Sequence, residues 1–154
     1  AGVIIKNALF RWPAKADTGA VPWVTYTAPE LAQVGLTEAQ AKEQHGDTIK
    51  VLRWSYHEND RAQAEKQTDG MVKAVVTAKG KILGCGIVGA HAGEMIQTWV
   101  LAKSKNLKIG DIAQMIAPYP TFGEVSKRAA GSFYTASLFS ERTRKIVRFL
   151  SRFG

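Results

Sequence analysis

Two prolines bracket a tyrosine at Pro118-Tyr119-Pro120, and a carboxylate follows at Glu124. A phenol near its ordinary pKa of ~10 exchanges protons poorly at neutral pH, but it can donate a hydrogen bond or coordinate weakly. Proline fixes its own φ and pushes the preceding residue out of the helical region. Tyr119 is therefore held extended just ahead of Thr121, a good N-cap. Glu124 lies three residues beyond Thr121, the spacing of a capping box. The Tyr119-Pro120 bond is a candidate for a cis peptide in a tight turn. Read locally, the stretch starts a helix, and Glu124 satisfies backbone N–H groups there.

A second chemical signal is Gly84-Cys85-Gly86-Ile87-Val88-Gly89, which fits G-x-G-x-x-G, with Asp111 downstream. A dinucleotide fingerprint needs these glycines in the turn between a parallel strand and its helix. Here the strand is the second arm of a hairpin, and only Leu107-Lys108-Ile109 is available as a next parallel strand. The glycines are better read as letting a strand bend and approach closely. Cys85, flanked by glycines, reads as a small buried residue rather than a reactive thiol. His91 and Glu94 open a helix, while His45 and His57 fall on polar surfaces with no evident role. Three scattered histidines and one cysteine argue against a metal cluster.

These residues need elements to hold them. Val3, Ile4, Ile5, Ala8 and Leu9 suit an amphipathic helix ending before Pro13, and residues 11–22, with Pro13, Asp17, Gly19 and Pro22, read as a linker. Val21–Thr27 reads as a strand ended by Ala28-Pro29-Glu30. Thr37-Glu38-Ala39-Gln40 is a capping box, Leu36 and Ala41 can staple it, and Gly46 closes the helix. A strand over Ile49–Tyr56 follows, then a polar stretch from Asn59 to Thr68 with a short helical turn. Met71–Ala78 and Lys81–Val88 form a hairpin about Lys79-Gly80 and must be antiparallel. His91–Lys103 is a helix with Met95, Trp99 and Ala102 on one face; Asp111 caps another; Val125 to Ala136 patterns a third. Strands and helices come in groups, which predicts an α+β fold: a mainly antiparallel sheet with helices packed on one face.

The chain has 154 residues, of which 45% are hydrophobic and 22% charged, enough for one domain with a real core. No apolar run approaches the ~20 residues that span a bilayer. The chain does not start with Met and opens on a helix already under way, so it reads as a fragment. A lone cysteine suggests a reducing compartment, the cytoplasm. The net charge of +8 raises nucleic acid as a partner, but half of it lies in the last stretch, and the remainder is diffuse. No nucleic-acid-binding motif accompanies it. From Ser137 to Phe153, Phe139, Ile146, Leu150 and Phe153 alternate with Arg142, Arg144, Lys145, Arg148 and Arg152. Such a helix can lie on an anionic membrane surface; docking against a partner or another domain is the favoured reading. A free-standing binding module that uses the glycine-rich turn or this basic helix is the alternative reading of the whole chain.

YTAPELAQVGLTEAQA, GCGIVGAHAGEMIQ and YPTFGE, in that order, resemble the C-terminal dimerisation domain of the pyridine nucleotide–disulfide oxidoreductases, mercuric-reductase-like or dihydrolipoamide-dehydrogenase-like. YPTFGE is similar to the family's His-Pro-Thr-x-x-Glu, with Tyr119 in the histidine's place. The resemblance implies that Tyr119 and Glu124 reach the partner subunit's active site in a homodimer, and that no cofactor binds this part. It implies a parent enzyme using FAD and NAD(P)H, whose redox disulfide lies in a separate FAD-binding part. The organisation it implies is a tail of the FAD-binding domain and linker at 1–15, a dimerisation domain at 16–136 and a basic amphipathic helix at 137–154. Trp54, Trp99, Phe133 and Tyr134 exceed what a small core obviously needs and are candidates for the interface.

Overall fold

The structure, a computed structural model, describes residues 2–15 and 18–152. Asp17 and Phe153, assigned above to the linker and the tail, lie outside the described residues. Helix α1 (Gly2–Ala8) buries none of its residues. Its Asn7 side chain exchanges hydrogen bonds with the backbone of Ala14, at 2.9 and 2.7 Å, and so ties the helix to the segment that follows.

Strand β1 (Pro22–Thr25) is shorter than expected, and it turns back at once into β2 (Glu30–Gly35). The sequence reading placed no strand at β2. It is six residues long and its apolar neighbours Leu31 and Ala32 blur the alternation: Ala32 and Val34 are in the core, while Gln33 is buried on the opposite face. The Gln33 amide donates to the carbonyls of Val34, Gly35 and Leu36, which satisfies the buried polar group.

Helix α2 (Glu38–His45) has the expected capping box. Gln40 N–H donates to Thr37 Oγ1 at 3.3 Å, and Thr37 N–H donates to Gln40 Oε1 at 3.0 Å. Gly46, with φ 61°, ends it. Then come β3 (Ile49–Ser55), α3 (Asp60–Ala64), β4 (Met71–Thr77) and β5 (Ile82–Gly89), with the hairpin between β4 and β5 turning through Lys79-Gly80. The sheet order is β1-β2-β5-β4-β3, antiparallel throughout.

Helices α4 (Ala92–Ser104), α5 (Ile109–Gln114) and α6 (Glu124–Gly131) cover one face of this sheet. Ala32, Ala74, Cys85 and Ile87 from the strands meet Met95, Ile96 and Trp99 of α4. Trp99 is fully buried, and its indole N–H donates to Ser126 Oγ at 3.0 Å. On the other face α2 covers one end of the sheet, where Ala41 meets Val75 and Leu83, with Leu36 and Ile49 beside them. The expected α+β architecture is present.

Several local readings change. Asp111 is the third residue of α5 rather than its cap, and its carboxylate accepts the Lys108 N–H at 2.7 Å. Leu107-Lys108-Ile109 is no parallel strand; Lys108 makes an isolated antiparallel bridge to Lys81. The helix expected to run to Ala136 breaks after α6 into a 3-10 turn at Ser132–Tyr134, α7 (Thr135–Leu138) and α8 (Glu141–Leu150). Trp99, Trp54 and Phe133 belong to or pack on the core and are not surplus. The sheet presents small residues such as Ala32 and Ala74, so large side chains from elsewhere must fill the space above it. Apolar side chains left exposed include Val21, Trp23, Tyr26 and Ile116.

Candidate functional site

Between α5 and α6 the chain makes the turn Pro118-Tyr119-Pro120-Thr121, with a cis peptide at Tyr119–Pro120. Thr121 does not cap α6. Its hydroxyl donates to Pro118 O at 2.7 Å and closes the turn, while Gly123 holds the position before the helix. The other half of the expected box survives in weak form: Glu124 Oε2 accepts the Thr121 N–H at 3.5 Å, at the outer limit for such a bond.

The turn is held from beneath. Asn59, 4% exposed, donates from Nδ2 to Thr121 O at 3.0 Å and accepts the Ala62 N–H on Oδ1 at 2.9 Å. One side chain thus caps α3 and pins the turn. Phe122 is buried between the rings of Tyr56 and His91, at centroid distances of 5.8 and 5.0 Å. Tyr56 is anchored in turn by donating to Ala90 O at 3.0 Å, and burial raises its pKa. His91 serves here as a ring contact tilted 53° against Phe122, in a left-handed backbone conformation with φ 60°.

Above this bed Tyr119 stands 70% exposed, and its hydroxyl donates to Asp60 Oδ2 at 2.9 Å. That hydrogen bond, and then the Asp60 charge, raise the phenol's pKa; Glu124 adds a smaller contribution of the same sign. At neutral pH the hydroxyl is protonated and can donate, but it exchanges its proton poorly. The hydrogen-bond partner of Tyr119 is therefore Asp60, and Glu124 acts on it only through its charge. Sequence reading missed Asn59 and Asp60 because they lie 62 and 59 residues from the groups they hold. The Asn59-Asp60 pair reads locally as an ordinary helix start.

The glycine run has no phosphate cradle. Side chains added at Gly84, Gly86 and Gly89 would meet the Leu36 backbone, the Gln33 side chain and the Tyr56 ring. The glycines let these neighbours approach β5, and the room a pyrophosphate would need is filled by protein. Cys85 is fully buried, which pushes its thiol pKa well up and away from reactivity. Among the described residues no group of His, Cys, Asp and Glu could hold a metal ion.

Residues 21–130 match the dimerisation domain of the pyridine nucleotide-disulphide oxidoreductases. The chain belongs to this family. It is 38% identical over 130 residues to a dihydrolipoyl dehydrogenase of Bacillus subtilis, covering 84% of the chain and 27% of that protein. It is 40% identical over 133 residues to a mercuric reductase of Staphylococcus aureus, covering 86% of the chain and 24% of that protein. Among solved structures, the HOCl-induced flavoprotein disulfide reductase RclA from Escherichia coli superposes with a TM-score of 0.75 at 25% identity, covering 84% of the chain and 30% of that one. The chain spans about a quarter of the length of the two relatives. The dimerisation domain contains the whole sheet, α2 to α5 and nearly all of α6, whereas α1, α7 and α8 lie outside the matched residues.

Proposed function

We propose that this domain forms the two-fold subunit interface of an oxidoreductase that uses FAD and NAD(P)H, and that Tyr119 reaches from one subunit toward the partner's acceptor site. FAD and the nicotinamide would be held outside these residues, since the glycine run is filled by its neighbours and forms no cradle for either. Cys85, single and buried, suits a reducing compartment, and we place the enzyme in the cytoplasm.

The observation that carries this reading is the Tyr119 turn, an exposed aromatic on a rigid mount. Asn59 and Phe122 fix the turn from below, while the ring itself touches solvent. A mount of that kind orients a group for something not belonging to the same domain. A two-fold contact would bring each turn to the other subunit. Tyr119 would then act as a neutral hydrogen-bond donor to an anion, such as a thiolate or an anionic acceptor, exchanging Asp60 for that ligand. Glu124 would keep the turn in register and favour the protonated phenol. Electrostatic help of this type is commonly worth ~10²–10³ in rate. The filled glycine run counts against a free-standing nucleotide-binding module.

Mixed dimers of the full-length enzyme test this. One copy carries Tyr119→Phe, the other lacks the redox cysteines, and turnover of lipoamide or mercuric ion is measured. If Tyr119 serves its partner, one intact site remains per dimer and about half the activity is kept. If mixed dimers are as impaired as Tyr119→Phe homodimers, or if Tyr119→Phe costs nothing, the proposal fails.

A further inference from the structure

Helix α8 lies outside the matched domain, and the core does not use it. Not one of its residues is buried. Ser140 caps it by accepting the Thr143 N–H at 3.2 Å, and Thr143 Oγ1 donates back to Ser137 O at 2.7 Å, so the helix is well started.

At 3.6 residues per turn its side chains fall on two sides, with Phe149 on the border between Lys145 and Ile146. Ile146, Val147 and Leu150 share one side with Thr143, and each of the three is half exposed or more. Arg144, Lys145 and Arg148 share the opposite side, and Arg152 follows just past the helix end. Arg142 sits at the margin of the apolar side, where its long stem can lie along the boundary with its charge in water. Leu138 of α7 borders a hollow at the margin of the two sides, which Thr143 and Val147 line together with Arg144 and Arg148. No helix among the described residues is long and apolar enough to cross a membrane.

We infer that α8 is an interfacial membrane anchor that lays its apolar side into an anionic lipid surface. Charge selects this occupant. From Ser137 onward there are five basic residues and one acidic, a net +4; the remaining sixteen basic and twelve acidic residues give another +4. The rest of the chain thus carries the same net sign. A protein docked on the apolar side would leave the basic side facing solvent with no counter-charge. A bilayer engages both at once, with the apolar side among the acyl chains and the basic residues level with the phosphates. Attachment here would hold the reductase at the membrane while leaving the Tyr119 turn on a separate element of the domain.

Flotation with vesicles tests the inference on the intact chain. It should float with phosphatidylcholine vesicles containing a third phosphatidylglycerol, stay behind with phosphatidylcholine alone, and be released by high salt. Each of Arg144→Gln and Arg148→Gln should lower partitioning about fivefold. The double variant Ile146→Ser/Leu150→Ser, which touches no core residue, should abolish flotation while the tryptophan fluorescence of the folded domain is retained. Three results would overturn the inference: no flotation with anionic vesicles, undiminished flotation of the Ser/Ser variant (charge attraction without insertion), or a Ser/Ser variant whose oligomeric state changes while the wild type fails to float, which would give the face to a second copy.

Discussion

Tyr119 and Asp60 are 59 residues apart in the chain and meet through a 2.9 Å hydrogen bond in which the phenol donates. The contact defines what Tyr119 can do. A carboxylate that accepts from a phenol stabilises the neutral form, so the side chain is kept as a donor and its pKa moves further from the working range. Where the family pattern has an imidazole that titrates near neutrality, this chain has a group that does not.

Ultraviolet titration of the wild type minus Tyr119→Phe should therefore show one phenol ionising above the ordinary value of ~10. Asp60→Asn should lower that midpoint toward ~10. Because the folded value is raised, the stability this pair contributes is present in full below the unfolded pKa and is lost as pH rises through the folded one. A midpoint unchanged by Asp60→Asn would remove Asp60 from the site.

Asn59→Ala should destabilise the domain by about 1–3 kcal/mol, since it leaves Thr121 O and the Ala62 N–H without their buried partner. Urea unfolding gives the magnitude. The Tyr119 ring should become mobile as well, so its fluorescence anisotropy decay separates a loosened turn from a uniformly weaker fold. Loss of stability with an unchanged ring would confine Asn59 to capping α3.

Gly84→Ala should cost on the order of 1–3 kcal/mol of stability or more, because the added methyl meets the Leu36 backbone. Calorimetric titration of the wild-type chain with FAD or NADH should show no binding. Micromolar binding of either cofactor, lost in Gly84→Ala, would contradict the packing role given to the glycine run.

Much of this fold is legible in the sequence, for reasons that lie in particular residues. The Thr37-Gln40 capping box, the Gly80 hairpin and the Met95-Trp99-Ala102 face all depend on contacts within a few residues. Strand β2 is not legible, because it is only six residues long and the apolar neighbours Leu31 and Ala32 blur its alternation, while the burial of Gln33 by bonds to nearby carbonyls leaves no mark in the sequence. The site divides along the same line. Tyr119 and Glu124 announce themselves through proline and capping chemistry, whereas Asn59 and Asp60 acquire their roles only when β4, β5 and α4 bring the two segments together. Thr121 was readable in type but not in partner: closing the turn to Pro118 competes with capping α6, and the turn wins.

The subunit interface can be tested directly by sedimentation equilibrium of the intact chain at micromolar concentration. The expected result is a dimer of twice 16.8 kDa, dissociating when Trp23 or Tyr26, both exposed on the monomer, is replaced by a charged residue. A monomer at every concentration would contradict the two-fold interface and with it the role assigned to Tyr119.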